Sequence, residues 1–386
     1  MIAGTAQNAA LNNAALAQNW PGNFWLHWII FSVILLVFVL VMVLAFVYIE
    51  RRAMGRMQAR LGPNRTGPFG LLQPIADAVK VLLKEDIVPF NADKIVHILA
   101  PIVAFAPLVM VFAVVPFQDG AMLADLNVGI LYVVAISSLS SVGVLMAGWG
   151  SNNKYSLLGA MRDVASVVSY EIPLVFSVLG VILIAGSLSL NEIVRAQNIP
   201  FVLLQPLGAL IFFIAGCAEI NRSPFDLLEA DSELTAGFHT EYSGMKFALF
   251  YLVEYGEALA LSAILSTLFL SGWRGPVLPP WLWLLVKIVI VFFVMVWTRT
   301  TLPRARIDQL MALAWKFLFP LAIINFLVTA VEVLLLPDGL TWPMIFVNFA
   351  IGIVLVVAFS AFYKVGWGRI GTQSTPSTPT VKEAKG

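Results

Sequence analysis

FWLHWIIFSVILLVFVLVMVLAFVYI, residues 24–49, contains no Asp, Glu, Lys or Arg, and Glu50-Arg51-Arg52 follows at once. A helix of that length outruns the ~20 residues needed to cross a hydrocarbon core about 30 Å thick. Working outward, apolar stretches of similar length recur near 93–116, 129–149, 157–185, 201–220, 244–271, 281–302, 314–336 and 343–363. The sequence therefore predicts an all-α polytopic membrane protein of about nine transmembrane helices. The composition agrees: 60% of residues are hydrophobic and 12% charged, with mean hydropathy +0.90. A soluble fold could not hide that much apolar surface, whereas a bilayer accepts it. Residues 24–364 read as one transmembrane domain, 1–23 as a polar outer tail and 365–386 as a disordered Ser/Thr/Pro-bearing cytoplasmic tail.

Charge sets the orientation. Counting alternate sides, 20 of the 23 Lys and Arg collect on one side, leaving Arg195 and Arg274 on the other and Lys287 inside a span. By the positive-inside rule the rich side is cytoplasmic, the N-terminus outside and the C-terminus inside. The first 23 residues carry no Lys or Arg, so a signal peptide with a basic n-region is not expected. The net charge of +1 reflects topology and gives no reason to expect a nucleic-acid partner.

Several chemistries are disfavoured. Cys217 is the single cysteine, too few for an iron–sulfur cluster or an internal disulfide. His27, His97 and His239 sit on different elements, which does not suit paired haem ligation. The common Gly-rich phosphate loops do not occur. The expectation is a chain that binds no metal and no redox cofactor of its own.

Acids, by contrast, gather where they are costly. Glu219, Asp226, Glu229, Asp231, Glu233 and Glu241 fall between two apolar stretches, and Glu254 and Glu257 lie within the next. A carboxylate near the bilayer centre costs roughly 2.5–3.5 kcal/mol unless it meets water, a partner or a proton. Such acids suggest a proton or ion path, or a polar chamber; the plainer alternative is a solvated acidic helix. Ser223-Pro224-Phe225-Asp226 has the capping pattern of a short helix, with Asp226, Glu229 and Glu233 on one face and Gly237 at its end. This is the amphipathic helix expected in the third cytoplasmic loop.

The first cytoplasmic loop, 50–92, holds another. If the first span runs on as a helix, Arg52, Arg56 and Arg60 form one stripe. Gly62-Pro63-Asn64 and Gly67-Pro68 then force turns. Pro74 suits the start of a helix carrying Ile75, Val79, Leu82 and Leu83 on one face and Asp77, Lys80 and Lys84 on another. By itself this reads first as a topology determinant with a lipid-facing helix.

Four ordered blocks carry a resemblance: Glu50-Arg51-Arg52 through Gln58-Ala59-Arg60-Leu61-Gly62-Pro63-Asn64-Arg65 to Gly67-Pro68-Phe69-Gly70-Leu71-Leu72-Gln73-Pro74-Ile75-Ala76-Asp77; Ser169-Tyr170-Glu171-Ile172-Pro173; Glu219-Ile220-Asn221-Arg222-Ser223-Pro224-Phe225-Asp226 through Glu241-Tyr242; and Arg304-Ala305-Arg306-Ile307-Asp308-Gln309-Leu310-Met311 with Trp315-Lys316. Over residues 50–316 the chain resembles the H-subunit family of respiratory complex I, the NADH-quinone oxidoreductase; the family is called subunit 1 in mitochondria. The resemblance implies a bacterial inner-membrane subunit that anchors the hydrophilic arm and forms much of the quinone chamber. It also implies that the subunit starts a proton-coupling path. Quinone would be the substrate, and flavin and iron–sulfur clusters would belong to partner subunits. It places Arg51, Arg60, Asp77, Phe225, Arg304, Arg306 and Asp308 on the chamber side. Glu171, Glu219, Asp226, Glu229, Asp231 and Glu233 would form an acidic funnel, extended by Glu254 and Glu257. For the arginines, structural pairing with these acids is the competing reading.

The chain departs from the family pattern in places. Asp231 stands where Glu is common, Asp163 and Ser166 where a small residue and Gln are usual, and Glu257 where Asn is frequent; the ninth span lies beyond an eight-helix core. Two rivals remain. A secondary ion transporter would more often show inverted repeats, which are not seen here. The membrane anchor of an energy-converting hydrogenase or formate hydrogenlyase would share the fold and bind no quinone.

Overall fold

The computed structural model describes residues 24–226, 236–335 and 342–362, with side chains described for 29–226, 236–335 and 345–360. Its elements are helices: α1 Phe24–Met57, α2 Gln73–Leu82, α3 Lys94–Phe112, α4 Gly129–Ser137, α5 Leu139–Gly150, α6 Lys154–Ala185, α7 Leu190–Ala196, α8 Phe201–Leu204 and α9 Pro206–Glu219. Then come α10 Gly244–Phe269, α11 Pro280–Thr301, α12 Ile307–Ala312, a π-helical turn Leu313–Leu318, α13 Phe319–Leu335 and α14 Trp342–Phe362. Among the described residues, seven stretches are long and apolar enough to cross a membrane, and α9 and α14 supply two shorter apolar helices. An all-α polytopic membrane protein is what the nine apolar stretches predicted.

Local signals explain many helix ends. Asp93 caps α3 by accepting from the N–H groups of Ile95 (3.1 Å) and Val96 (3.4 Å). Asn153 does the same for α6 through Tyr155 N–H, 3.0 Å. That helix ends at Gly186 in the left-handed region, φ 68°. Packing then uses small residues to bring backbones together. Gly143 of α5 lies against Ala104 of α3 so closely that a Cβ there would come within 2.6 Å of the Ala104 nitrogen. Between α1 and α11, Phe46 and Phe292 stack with centroids 3.8 Å apart. Outward, Ile29, Val33, Val37 and Val41 of α1 stay exposed, as a lipid-facing stripe requires.

The structure corrects three boundaries. α1 does run past residue 49, but only to Met57, where Ala59 turns left-handed at φ 53°. Arg60 therefore leaves the helix, its N–H bonding to Gly55 O at 2.8 Å, and the stripe of Arg52, Arg56 and Arg60 is not continuous. Gly62 folds back onto the Arg51 and Arg52 backbone, which needs a turn there. The eighth span begins at Ile307 rather than 314 and passes through the π turn. The fifth breaks between α8 and α9 at Gln205, because Pro206 has no N–H with which to continue the ladder.

The amphipathic α2 forms as expected, with Pro74 in its first turn and Ile75, Val79 and Leu82 exposed on one side. It is fastened to α1 by Arg51, which pairs with Asp77; Asp77 also accepts from Gln73 Nε2 at 2.9 Å. The helix expected from Ser223 does not start there: 223–226 are turn residues, Phe225 N–H bonding to Arg222 O at 3.0 Å. The rest of that expected helix, with Glu229, Asp231 and Glu233, lies outside the described residues.

Candidate functional site

Four parts of the chain bring charge together: the last third of α1, the turn after α9, the interior of α10 and the last turn of α11. Glu50, the residue that ends the first apolar run, is fully buried. Its two carboxylate oxygens receive Arg222 Nη1 at 2.9 Å and Arg299 Nη1 at 2.6 Å. Arg222 in turn sends Nε toward Glu254 at 3.3 Å and lies over the Tyr255 ring, 4.2 Å from its centroid. Burial works against the Arg222 charge, yet the Glu254 and Glu50 carboxylates hold its pKa above the ordinary value. The guanidinium is a fixed cation, wedged between two acids and an aromatic face.

Beside it lies a cavity of about 80 Å³, room for several waters. Asp163, Glu219, Asp226, Glu254 and Glu257 all line it, with Ser140, Asn221, His239 and Tyr251. Asn221, left-handed at φ 51°, turns its side-chain amide onto the buried Asp163 carboxylate. Glu171 lies close enough to act electrostatically on Glu219. A second cavity, also of about 80 Å³, continues from the same Glu219, Glu257 and Ser140 into an apolar sleeve including Leu108, Val178, Phe212 and Leu268. Acids from α6, α9 and α10 thus meet on one space that holds several waters, with a mostly apolar extension.

His239 sits on the rim in the single turn Gly237–His239. Burial lowers its pKa below the ordinary imidazole value, the nearby Asp226 charge opposing this only in part. Behind the turn, Tyr242 stacks on His97 with centroids 4.0 Å apart.

The residues expected on the chamber side separate into groups. Phe225 is buried, its ring 5.9 Å from that of Tyr170, whose hydroxyl donates to Leu310 O at 2.8 Å. Arg304 pairs with Asp226, Nη2 to Oδ1 at 2.9 Å, and Ala305 N–H bonds to Pro224 O at 2.9 Å. The two distant segments 223–226 and 304–306 are thereby sewn together beside the acidic cavity. Arg306 and Asp308 are exposed at the start of α12, where Arg306 N–H bonds to Gln309 Oε1 at 3.2 Å. Arg51 and Asp77 form their own half-exposed pair, and Arg60 is exposed beyond α1.

Sequence reasoning missed Glu50, Arg222 and Arg299 as members of the site. The available signals were a Glu at the border of an uninterrupted apolar run and an Arg inside the acidic loop. Each reads as a border charge until the partner is known. Among the described residues, no three His, Cys, Asp or Glu side chains gather as a metal-binding group.

Residues 30–330 match the model of the NADH dehydrogenase family. The chain is 61% identical over 348 residues to the NADH-quinone oxidoreductase H subunit of Dehalococcoides mccartyi, covering 90% of this chain and 99% of that one. It is 52% identical over 316 residues to the H subunit of the same enzyme from a Geobacillus species, covering 79% and 95% of the two chains. A second-type H subunit of NADH-quinone oxidoreductase from Syntrophobacter fumaroxidans is 50% identical over 327 residues, covering 82% and 98%.

Proposed function

The chain belongs to the NADH dehydrogenase family, and from that premise we propose that, as the membrane-embedded H subunit of an NADH-quinone oxidoreductase, it shapes the quinone chamber and begins the proton-coupling path. The single observation that carries this reading is the meeting of Asp163, Glu219, Asp226, Glu254 and Glu257 on one cavity. Five acids around a space that holds several waters can exchange protons and respond to charge, which a structural salt-bridge set has no need to do.

On this reading quinone is the substrate, approached from the side of Arg51, Arg60, Asp77, Phe225, Arg304, Arg306 and Asp308. Cationic donors there would favour the electron density that builds on a quinone's carbonyl oxygens during reduction. Glu171, Glu219, Asp226, Glu229, Asp231 and Glu233 lead protons away from the chamber, with Glu254 and Glu257 continuing inward. The exposed basic end of α1 and the α1–α2 loop dock the hydrophilic arm, whose subunits hold the flavin and iron–sulfur clusters. The complex sits in a bacterial inner membrane with the N-terminus of this chain outside and its C-terminus in the cytoplasm.

The test is Glu219→Gln in the assembled complex, reconstituted in vesicles. The amide keeps size and hydrogen bonding but cannot release a proton. Quinone-linked proton pumping is expected to fall while assembly persists. Normal pumping together with normal quinone reduction would remove Glu219, and the path built on it, from the mechanism.

A further inference from the structure

The break in the fifth span has no part in the function above, yet buried polar groups gather on it. Gln205 at the break, Asn325 and Thr329 of α13 and Asn348 of α14 keep only 4, 9, 2 and 8% of their surface exposed. Pro206 has no N–H for the Val202 carbonyl, and a membrane interior supplies no bulk water in its place. The orientations of two amides are fixed by their bonds. The Thr329 hydroxyl donates to Asn325 O at 2.9 Å, so it can only accept from Gln205, whose Nε2 lies 2.8 Å away. Gln205 Oε1 must then face elsewhere. Asn348 Nδ2 donates to Leu204 O at 2.7 Å, which likewise turns its Oδ1 away. Those two oxygens and Asn325 Nδ2 are buried without a hydrogen-bond partner among the described residues, a costly condition for any polar atom. Two glycines frame the Gln205 amide. A side-chain carbon on Gly180 of α6 would come within 3.0 Å of Nε2, and one on Gly208 of α9 would stand 3.4 Å from Oε1 and 3.3 Å from Asn325 Nδ2. The bare face of Gly208 thus keeps open the ground between an acceptor and a donor that do not bond each other.

We propose that this break binds a buried water, which accepts from Asn325 Nδ2 and donates to Gln205 Oε1 beside Gly208. Water has two protons and two lone pairs, so one molecule serves that donor and that acceptor and keeps a proton for Asn348 Oδ1. Buried waters typically make about three hydrogen bonds to groups that the protein leaves unmet. The two oxygens would also suit a cation, but every group in the set is neutral. α8, α13 and α14 carry one acid between them, Glu332, and it is only partly buried. A cation would therefore sit without a buried counter-charge, which a membrane interior penalises far more than a neutral molecule. The water joins α13 to the broken fifth span, and the Asn348 bond to Leu204 adds α14. The ninth span is thereby tied into the polar framework of the fold. This site is independent of the proton path.

The experiment compares the assembled complex in mild detergent with its Gly208→Ala form. It reads the thermal midpoint of each and a cryo-electron microscopy map fine enough to show ordered water. Alanine in place of a helical glycine ordinarily stabilises. Here the methyl would displace the water and leave Gln205 and Asn325 bare, so the midpoint is expected to fall. The map separates displacement from a simple clash. A peak within hydrogen-bond distance of Gln205 Oε1 and Asn325 Nδ2 is expected in the unmutated complex and is expected to vanish in Gly208→Ala. A midpoint that holds or rises in Gly208→Ala would overturn the site, and so would a map of the unmutated complex without that peak. The cation is tested by exchanging sodium for potassium or choline at fixed ionic strength. A midpoint that shifts with the exchange in the unmutated complex, and not in Gly208→Ala, would make the ligand a cation and overturn the water. If Gly208→Ala fails to assemble, the map of the unmutated complex decides alone.

Discussion

Glu50 and Arg222 are 172 residues apart in sequence and 2.9 Å apart in the fold, both almost wholly removed from solvent. The pair is completed by Arg299 on the other Glu50 oxygen, so one carboxylate answers two guanidinium groups. Glu254 on the far side of Arg222 brings the four side chains to formal balance. Such a set adds little net stability over an apolar core, but breaking it strands a charge. Its geometric effect is to fix where α1, α10, α11 and the 220–226 turn meet, behind the side of the acidic cavity that Asn221, Asp226 and Glu254 line.

Replacing Glu50 by Ala should therefore destabilise the subunit by about 3–5 kcal/mol, since Arg222 and Arg299 would then face each other without their shared acid. Glu50→Gln should cost less, because the amide still accepts one hydrogen bond. The check is the thermal midpoint and yield of the detergent-purified complex. Equal midpoints for Glu50→Ala and the unmutated complex would mean the cluster is hydrated and loose.

The same cluster marks where reading the sequence stops. Apolar length and Lys/Arg placement are local, so the nine hydrophobic stretches and α2 were legible residue by residue. The break at Gln205 has a local signal in Pro206. The π turn at Leu313–Leu318 has none, and arises inside an ordinary apolar run. Arg60 was misplaced because helix periodicity was extended into the turn that Gly62-Pro63 enforces. The acids on the cavity were legible because a carboxylate inside an apolar span is conspicuous alone. Glu50 with Arg222 and Arg299 was not, because each sits at a span border, where a charge is ordinary. Their meaning comes only from contacts spanning 172 and 249 residues.

Docking of the hydrophilic arm can be tested with two of the three arginines of the expected α1 stripe. Arg52 is bound within the chain, to the Tyr48 hydroxyl and to Phe69 O at 3.0 Å, and lies over the Phe69 ring. Arg56 and Arg60 are exposed, and charges at an interface rim set association and its salt dependence. Arg56→Ala with Arg60→Ala should release the hydrophilic arm at lower salt than the unmutated complex, while Arg52→Ala should instead loosen the 58–72 turn. An arm retained equally across a salt series would leave the two arginines as topology signals alone.

The His239 turn carries a pH dependence whose sign follows from burial. With its folded pKa lowered, the folded state binds fewer protons than the unfolded one below roughly pH 6.5. The stabilisation is fully present above that pH and is lost as pH falls. Amide protection factors in residues 236–243, with the intrinsic pH dependence of exchange divided out, should fall as pH drops below about 6.5. His239→Asn should flatten that part of the profile. Protection factors that rise on acidification would mean that Asp226, not burial, governs the ring.

Arg304 bonds Asp226 both through the side-chain carboxylate and, from Nε, to its carbonyl. That contact supports two accounts. Arg304 either holds the 223–226 turn in place or, from the same position, also presents charge to a quinone oxygen. A double-mutant cycle separates them. Arg304→Met and Asp226→Asn should each weaken quinone reduction in assembled complex, while electron transfer to an artificial acceptor ahead of the quinone survives. If the arginine only positions the turn, the double variant is no worse than Arg304→Met, because the second change removes a partner already lost. If it also meets the quinone, Arg304→Met should lose further inhibitor affinity that Asp226→Asn does not, and the cycle should not close on the pair alone. Coincident losses in both single variants and the double, with inhibitor binding unchanged, would leave Arg304 as a structural tie.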